Sequence, residues 1–499
     1  MNISCTLTLS KSLENNILAF KNIFPDDRML VIRRLENKYL SAAKCCVIYF
    51  QEMVDNELIN ENIIQPILGN NLSEGISCDN LLQDIQDKVI AVNGVIMSED
   101  INIILDSLIS GDTIFLLEGY EKVLIIASRG YGGRAITEPD SSRSVRGPRA
   151  GFTESINVNI SLIRRIIRTP DLKLKFKELG ERTHTRVCIC YIEGVALEGI
   201  LKEVEKRLDQ IQLDGILDSG YIQELIRDAP FSPFETVGYS EKPDAVAGKL
   251  LEGRIAILVD GSPFALTAPF IIAEVAQISE DYYNNYIFAS INRFIRITAA
   301  IFSVSIPSLY LAVVTFHQEM LPTPLLLSIS AGRQGVPFPT VLSLIVMLAL
   351  FDLLREASVR MPASVSEAIN IVGTLVIGQA LVEAKLVSPI IIIITALTGI
   401  LSLLNISMVG AAMVLRTLLI ISTSILGIYG FLLGLILTLI HLMSIRSFGV
   451  PYMLNLSTVK NHDFQDVWIR VPWWEMTLRP KIMGAKNLIR QPIRKNKRK

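Results

Sequence analysis

The sequence predicts an α/β cytoplasmic domain made of two related subdomains, followed by a multi-span α-helical membrane domain. Three observations carry that expectation. Half of the 499 residues are hydrophobic but unevenly placed: up to about residue 290 charges mix with short apolar runs, and from 297 to 443 charges nearly vanish. Two strand-bearing motifs in the first part recur at one spacing. The second part contains apolar runs matched to a hydrocarbon core of roughly 30 Å.

Residues 45–54, CCVIYFQEMV, form an apolar run suited to a buried strand, with a helical stretch after it through Leu68. VCICYIEGV at 187–195 does the same and leads into LEGILKEVEKRLDQI, an amphipathic helix. GDTIFLLEGYEKVLIIAS (111–128) and GRIAILVDGSPFALTAPF (253–270) each read as strand, acidic-Gly turn, strand, the signature of a hairpin. Tyr49 and Tyr191 lie 142 positions apart, and so do Gly119 and Gly261. Two matches at one offset imply a duplication. The soluble half is therefore divided into an N-terminal extension (1–30), subdomain 1 (31–128), a linker with a helix (129–180) and subdomain 2 (181–285).

The linker begins RGYGGRAITEPDSSRSVRGPRAGF (129–152), with five arginines among Gly, Pro and Ser. It lacks GxxxxGK[ST], and RGYGGR has no strand-to-helix context, so it is not a phosphate loop. Two readings stay open. One is a rigid, solvated hinge segment whose arginines pair with acids on neighbouring subunits; the other is a site for an anionic ligand or lipid headgroup. The helix read over 157–173 carries Ile160, Ile163, Ile166 and Ile167 with arginines between them.

The membrane domain is read at 290–446 and the basic cytoplasmic tail at 447–499. Its first span, 297–316, follows Arg293 and Arg296, which places the soluble half on the cytoplasmic side, and Pro307 marks a kink. Further segments cover 336–354, 368–381, 387–407 and 417–443, the last long enough to split at Gly427, Gly430 or Gly434. The basic tail also belongs inside, so the number of crossings is even: four if the third segment is re-entrant, six if it spans and the fifth divides.

On a helical projection Glu367, Asn370, Thr374 and Gly378 share one narrow stripe of the third segment. Polar groups at membrane depth need water, an ion or a partner helix, so the stripe is either an ion path or a helix–helix seam. Asp352 and Glu356, with Arg355 between them, are either cation-attracting acids of an oligomeric ring or a solvated helix end offset by Arg355 and Arg360.

Several function classes fall away. A net charge of −1 argues against nucleic-acid binding. Four scattered histidines give no metal spacing, and the six cysteines form no CxxC and read as reduced core residues. No catalytic constellation and no cofactor motif is identifiable, so the chain is not read as an enzyme. The start lacks a signal-peptide pattern.

VRGPRAGFTESINVNISLIRRIIRTPDLK, GRIAILVDGSPFALTAP, REASVRMP, GTLVIGQALVEAKLVSP, LIHLMSIRSFGVPYM and RVPWWEMTLRP resemble the GerA family. These are A subunits of nutrient germinant receptors of endospore-forming bacteria. The resemblance runs from about residue 30 to 480. It implies a multi-pass protein of the spore inner membrane with its N-terminal domain and tail cytoplasmic. It also implies assembly with a transporter-like B subunit that holds the nutrient and a lipoprotein C subunit, contact with membrane lipid, and a homo-oligomer acting as a ligand-gated cation channel. Under it the arginine stretch becomes a subdomain and subunit junction, with Glu138, Arg146, Arg149 and Glu154 as its candidate residues. The family pattern has acids where this chain has Ser142, Ser343 and Leu348. Alternatives to the channel are a non-conducting scaffold subunit, a family relative that amplifies ion release without sensing nutrients, and, more remotely, a secondary transporter.

Overall fold

Apolar alternation organises the soluble half. In the computed structural model, which describes residues 9–39, 44–69, 81–130, 138, 144–361, 376, 378–453, 466–479 and 487–490, it opens with α1 (Leu13–Ile23), whose Leu13, Ile17 and Phe20 form one buried stripe. There follow β1 (Leu30–Glu36), β2 (Lys44–Phe50), the short helices α2 (Asn56–Ile59), α3 (Gln65–Gly69) and α4 (Leu81–Asp84), then β3 (Val95–Ser98), α5 (Ile101–Ile109), β4 (Thr113–Leu117) and β5 (Val123–Ile126). The Asp55 carboxylate caps α2 and that of Asp100 caps α5, each accepting from first-turn N–H groups. The sheet order is β1-β2-β4-β5-β3, with every neighbouring pair antiparallel.

The second unit repeats the first. It comprises α6 (Ile156–Ile166), β6 (Leu172–Leu179), β7 (Thr185–Ile192), α7 (Glu198–Asp209), α8 (Ser219–Ile226), β8 (Gly238–Ser240), α9 (Pro243–Leu251), β9 (Ile255–Val259) and β10 (Ala265–Ala268), with sheet order β6-β7-β9-β10-β8. The bounds of α9, β9 and β10 are those of α5, β4 and β5 advanced by 142, and α6 stands to α1 as the same element one residue further on. The helix read over 157–173 stops at Ile166, and residues from Leu172 are a strand. LKLKFKEL alternates with period two, burying Leu172 and Leu174 and turning the lysines outward, and that period prevails over the helix upstream.

The inner faces of the two units share one core, apart from the cluster each buries on its outer face. One apolar cluster takes Ile17 and Phe20 of α1, Ile104 and Leu108 of α5, Ile160 and Ile163 of α6, Val246 and Leu250 of α9, and the inner faces of both sheets. The layers are thus sheet, helices, sheet, and a charge lies inside them. Arg164 of α6 is 1 % exposed, pairs with Asp27 and lies 4.2 Å over the Phe50 ring. The outer face of the first sheet packs under α2, α3 and α4, and that of the second under α7 and α8.

The helical half contains α10 (Tyr286–Thr315), α11 (Thr323–Arg333), α12 (Thr340–Arg360), α13 (Gly378–Glu383), α14 (Pro389–Leu403), α15 (Val409–Leu426) and α16 (Ile428–Ser444). Two helical stretches, 286–315 and 406–426, are long and apolar enough to cross a membrane, and α14 and α16 are shorter apolar helices. Helix α10 continues through Pro307. The run read at 417–443 divides at Gly427, whose φ of 61° and ψ of −136° suit glycine alone. At one end of the bundle Asn405 donates to the Arg296 carbonyl, and at the other Gly427 backs onto Phe316 and His317. A two-stranded ribbon, β11 (Arg446–Ser447) and β12 (Val450–Pro451), follows α16.

Candidate functional site: the joint between the two halves

Arg293 and Arg296 lie three residues apart on α10 and so share a face. That face is turned inward: Arg293 is fully buried and Arg296 nearly so. Asp281, on the turn leading into α10, pairs with both. Asp466, from the C-terminal chain, lies 2.9 Å from Arg293 Nη1 and accepts from the Tyr282 hydroxyl at 2.6 Å. Trp473 Nε1 donates to the Tyr282 carbonyl, and the rings of Tyr282 and Trp473 lie 5.9 Å apart. The two arginines read as a flank of the first span are therefore a buried tie between the soluble domain, the first long helix and the tail.

A second tie holds the last helix. Ser232 Oγ and His441 Nε2 are 2.9 Å apart, and Phe234 packs against the rings of His441 and Tyr452. Beyond α16, Ser447 Oγ donates to the Thr236 carbonyl and accepts from the Phe270 N–H. Asp228 accepts from the Phe448 N–H and pairs with Arg207 at 2.7 Å, while the Arg207 guanidinium covers the Phe448 ring at 4.4 Å.

Between the two ties sits a buried charge cluster, in which Glu274 pairs with Arg254 and with Lys249. Burial raises the Glu274 carboxyl, but Arg254 and Lys249 outweigh it and hold the group below its usual value. Arg479 of the tail donates to the Leu251 carbonyl beside this cluster. Subdomain 2 thus grips the first helix, the last helix and the tail.

The arginine-rich connection runs along the same subdomain. Lys242 Nζ donates to Ser144 Oγ at 2.8 Å, Phe152 N–H to the Glu241 carbonyl at 2.8 Å, and Gly261 N–H to the Glu154 carbonyl at 2.7 Å. Val145 N–H reaches Glu280, and Gly147 packs so closely on Tyr283 that a Cβ would lie 2.6 Å from its ring. The connection therefore ends against the residues that lead into α10. Glu138, Arg146, Arg149 and Glu154 are all exposed. Glu154 acts through its main chain.

Within the bundle Asp352 is largely buried, 2.6 Å from Arg416 Nη2 of α15 and 3.2 Å from Arg355. Glu356 pairs with Arg360 one turn on. Both acids are paired with arginines of their own chain, Asp352 in a largely buried pair with Arg416 and not at a solvated helix end. Arg416 was not singled out from the sequence, although a lone arginine in VGAAMVLRTLLII is the signal of an intramembrane ion pair. Glu367, Asn370 and Thr374 lie outside the described residues. Gly378 opens α13 with open space where a side chain would sit.

Cys45, Cys46, Cys188 and Cys190 are buried free thiols, and burial pushes those of Cys45 and Cys46 up to about 12, out of range for a nucleophile. Among the described residues no group of three or more His, Cys, Asp or Glu could hold a metal ion.

Comparison with known proteins gives the following. The family described as Bacillus/Clostridium GerA spore germination protein matches residues 19–482. Spore germination protein KA of Bacillus subtilis (strain 168) is 41 % identical over 485 residues, covering 97 % of this chain and 89 % of the relative. The membrane protein YfkQ of the same organism is 36 % identical over 436 residues, covering 87 % of this chain and 84 % of the relative. The crystal structure of the N-terminal domain of the A subunit of the Bacillus megaterium spore germinant receptor GerK3 is 35 % identical, with a TM-score of 0.43, covering 53 % of this chain and 98 % of that one.

Proposed function

The chain belongs to the GerA family of spore germination proteins, and on that footing we propose that it is the membrane subunit of a nutrient germinant receptor that oligomerises into a nutrient-gated cation channel. A transporter-like B subunit holds the nutrient, a lipoprotein C subunit completes the receptor, and channel opening starts ion release from the spore. The observation that carries this reading is the double tie of subdomain 2 to both ends of the helical half, through Arg293–Asp281 and through Ser232–His441. A movement imposed on the soluble body is then delivered to the first and last helices together, which is what a gate driven from outside the bilayer requires.

The chain sits in the spore inner membrane with its N-terminal domain and tail cytoplasmic and in contact with lipid. Six crossings are favoured over four. The soluble domain holds the start of α10 and the end of α16, and Gly427 splits the fifth apolar run into two helices of opposite direction. Parity then assigns a full crossing to the segment that holds Glu367, Asn370, Thr374 and Gly378. That stripe is the proposed ion path, and the exposed Arg146 and Arg149, with Glu138 and Glu154, are the proposed contacts to neighbouring subunits.

The test is potassium release from spores lacking the gene, followed after single nutrients are added. Loss of the response to one nutrient class, restored by the intact gene but not by an assembling Asn370→Leu version, is the expected result. Uniformly slower release for every nutrient would replace the receptor by an amplifying relative. Unchanged flux in Asn370→Leu would reduce the chain to a scaffold.

A further inference from the structure

The loop between α8 and β8 presents a bare aromatic ring. Phe231 is fully exposed, while Ser232 and Phe234 on the same loop are buried. A single exposed apolar residue is ordinary on a protein surface, but this one is fixed in place. Pro230 and Pro233 restrict the backbone on either side of it. Ser232 N–H donates to the Ala229 carbonyl at 3.0 Å and Phe234 N–H to Ser232 Oγ at 3.2 Å. The Arg227 guanidinium donates to the carbonyls of Ala229 and Ser232. Ser232 and Phe234 already fill the inward side of the loop, so Phe231 cannot turn in without breaking these bonds.

The second tie sets the depth at which the ring stands. Ser232 Oγ lies 2.9 Å from His441 Nε2 of α16, and Phe231 is the adjoining residue, about 3.8 Å away along the chain. Helix α16 has 17 residues. At 1.5 Å per residue it is about 25 Å long, short of the roughly 30 Å of a hydrocarbon core. Tilt shortens its reach further. A crossing by α16 therefore uses its whole length, and the last turn, which holds His441, stands at the boundary of the apolar layer and not in the water beyond it. The surface of the helix agrees. Leu437, Ile440 and Met443 are exposed near this end, and the buried residues of α16, Gly430 and Phe431, are at the other.

We propose that Phe231 enters the cytoplasmic leaflet and packs against acyl chains, so that subdomain 2 rests on the bilayer through this loop as well as through the helices it holds. The occupant is lipid because the ring continues the apolar surface of α16 where the loop joins it. The loop is also suited to leaving water. Its two prolines bring no N–H with them, and the N–H groups of Ser232 and Phe234 are already donated within the protein. The inference rests on the reading of α16 as a membrane crossing.

The test uses the full chain with Cys5→Ser and Cys78→Ser, in which Cys45, Cys46, Cys188 and Cys190 are buried away from a labelling reagent. A nitroxide is attached at Phe231→Cys, at Leu437→Cys as the lipid reference, and at Lys202→Cys on α7 as the water reference. All three positions are exposed, so the label displaces no packing. In phospholipid nanodiscs, collisions of each label with oxygen are compared with collisions with a water-soluble nickel chelate. The oxygen-to-nickel ratio at position 231 should be severalfold above that at 202 and approach that at 437. A ratio at 231 equal to that at 202, with 437 still in lipid, would leave the loop in water and overturn the proposal alone. Shelter of 231 from both reagents would also overturn it, placing a second copy or another protein over the ring. A water-like ratio at 437 would overturn the membrane reading of α16 itself, and this inference with it.

Discussion

Asp281→Asn and Asp466→Asn separate the two strands of the joint. One carboxylate oxygen of Asp281 serves both Arg293 and Arg296, and the two guanidiniums are almost wholly withdrawn from water. Removing its charge leaves Arg296 without a carboxylate and Arg293 with Asp466 alone, a loss of about 3–5 kcal/mol. Asp466 is different. Its side chain is 18 % exposed, and Arg293 keeps Asp281 when it is neutralised, so the loss is that of one charged hydrogen bond, about 1.5–3 kcal/mol. Unfolding of the full chain in nanodiscs measures both. Tryptophan emission adds a local readout, because the three tryptophans of the chain are Trp468, Trp473 and Trp474, all in the docked tail. Asp466→Asn should redden that emission while the fold survives, and Asp281→Asn should destabilise the whole chain about twice as much. A reversed order, or unchanged emission in Asp466→Asn, would refute the assignment of Asp281 as the hub and Asp466 as the tail's tie.

Gly427→Ala should lower stability by about 1–3 kcal/mol from backbone strain alone, with a further steric cost because its Cβ would lie 2.9 Å from Phe316; Gly410→Ala, which meets nothing within 4 Å, is the control for the melt. Arg416→Met strands Asp352 with only Arg355 and should cost about 3–5 kcal/mol, whereas adding Asp352→Leu should recover most of it, as judged by a double-mutant cycle. Glu274 has a folded-state pKa below its ordinary 4.5, so its stabilising contribution is complete above that value and is lost as pH falls through the folded value. The stability gap between wild type and Glu274→Gln should therefore shrink as urea titrations are taken below pH 4.5, and a gap that widened would contradict the sign.

The β-rich parts of the soluble half were legible because strands advertise themselves by local period. CCVIYF and VCICYI, with the hairpins at 111–128 and 253–270, expose the repeat directly. Its helices were harder to see. LENNILAFKNI and INVNISLIRRI coincide at three of their eleven positions, too few to announce a repeat, and their common place in the layer between the sheets equates α1 with α6. The joint was half visible. Arg293 and Arg296 were noticed as a flank, but their partners Asp281 and Asp466 lie up to 173 positions away, and no local pattern announces such a pairing. The same holds for Asp352 and Arg416, 64 positions apart, each an isolated charge in an apolar run. Ser232 and His441 carried no signal at all, since a hydroxyl and an imidazole joined across 209 positions look like any others in the sequence.

The shared layer of α1, α5, α6 and α9 has a consequence for how the chain is made. The first sheet can be closed by its own strands, but the apolar faces of Ile17, Phe20, Ile104 and Leu108 await Ile160, Ile163, Val246 and Leu250. The second unit trails the first by 142 residues, which at ordinary translation speeds is roughly 7–30 s of synthesis. Through that interval the nascent first unit shows the ribosome's surroundings a greasy, half-finished surface, with Asp27 still lacking Arg164. A nascent chain arrested near residue 150 should bind an apolar dye and be cut quickly by protease, and one arrested beyond residue 290, with the second unit clear of the tunnel, should do neither. Duplication has here produced two halves that must be born in sequence and become soluble only together.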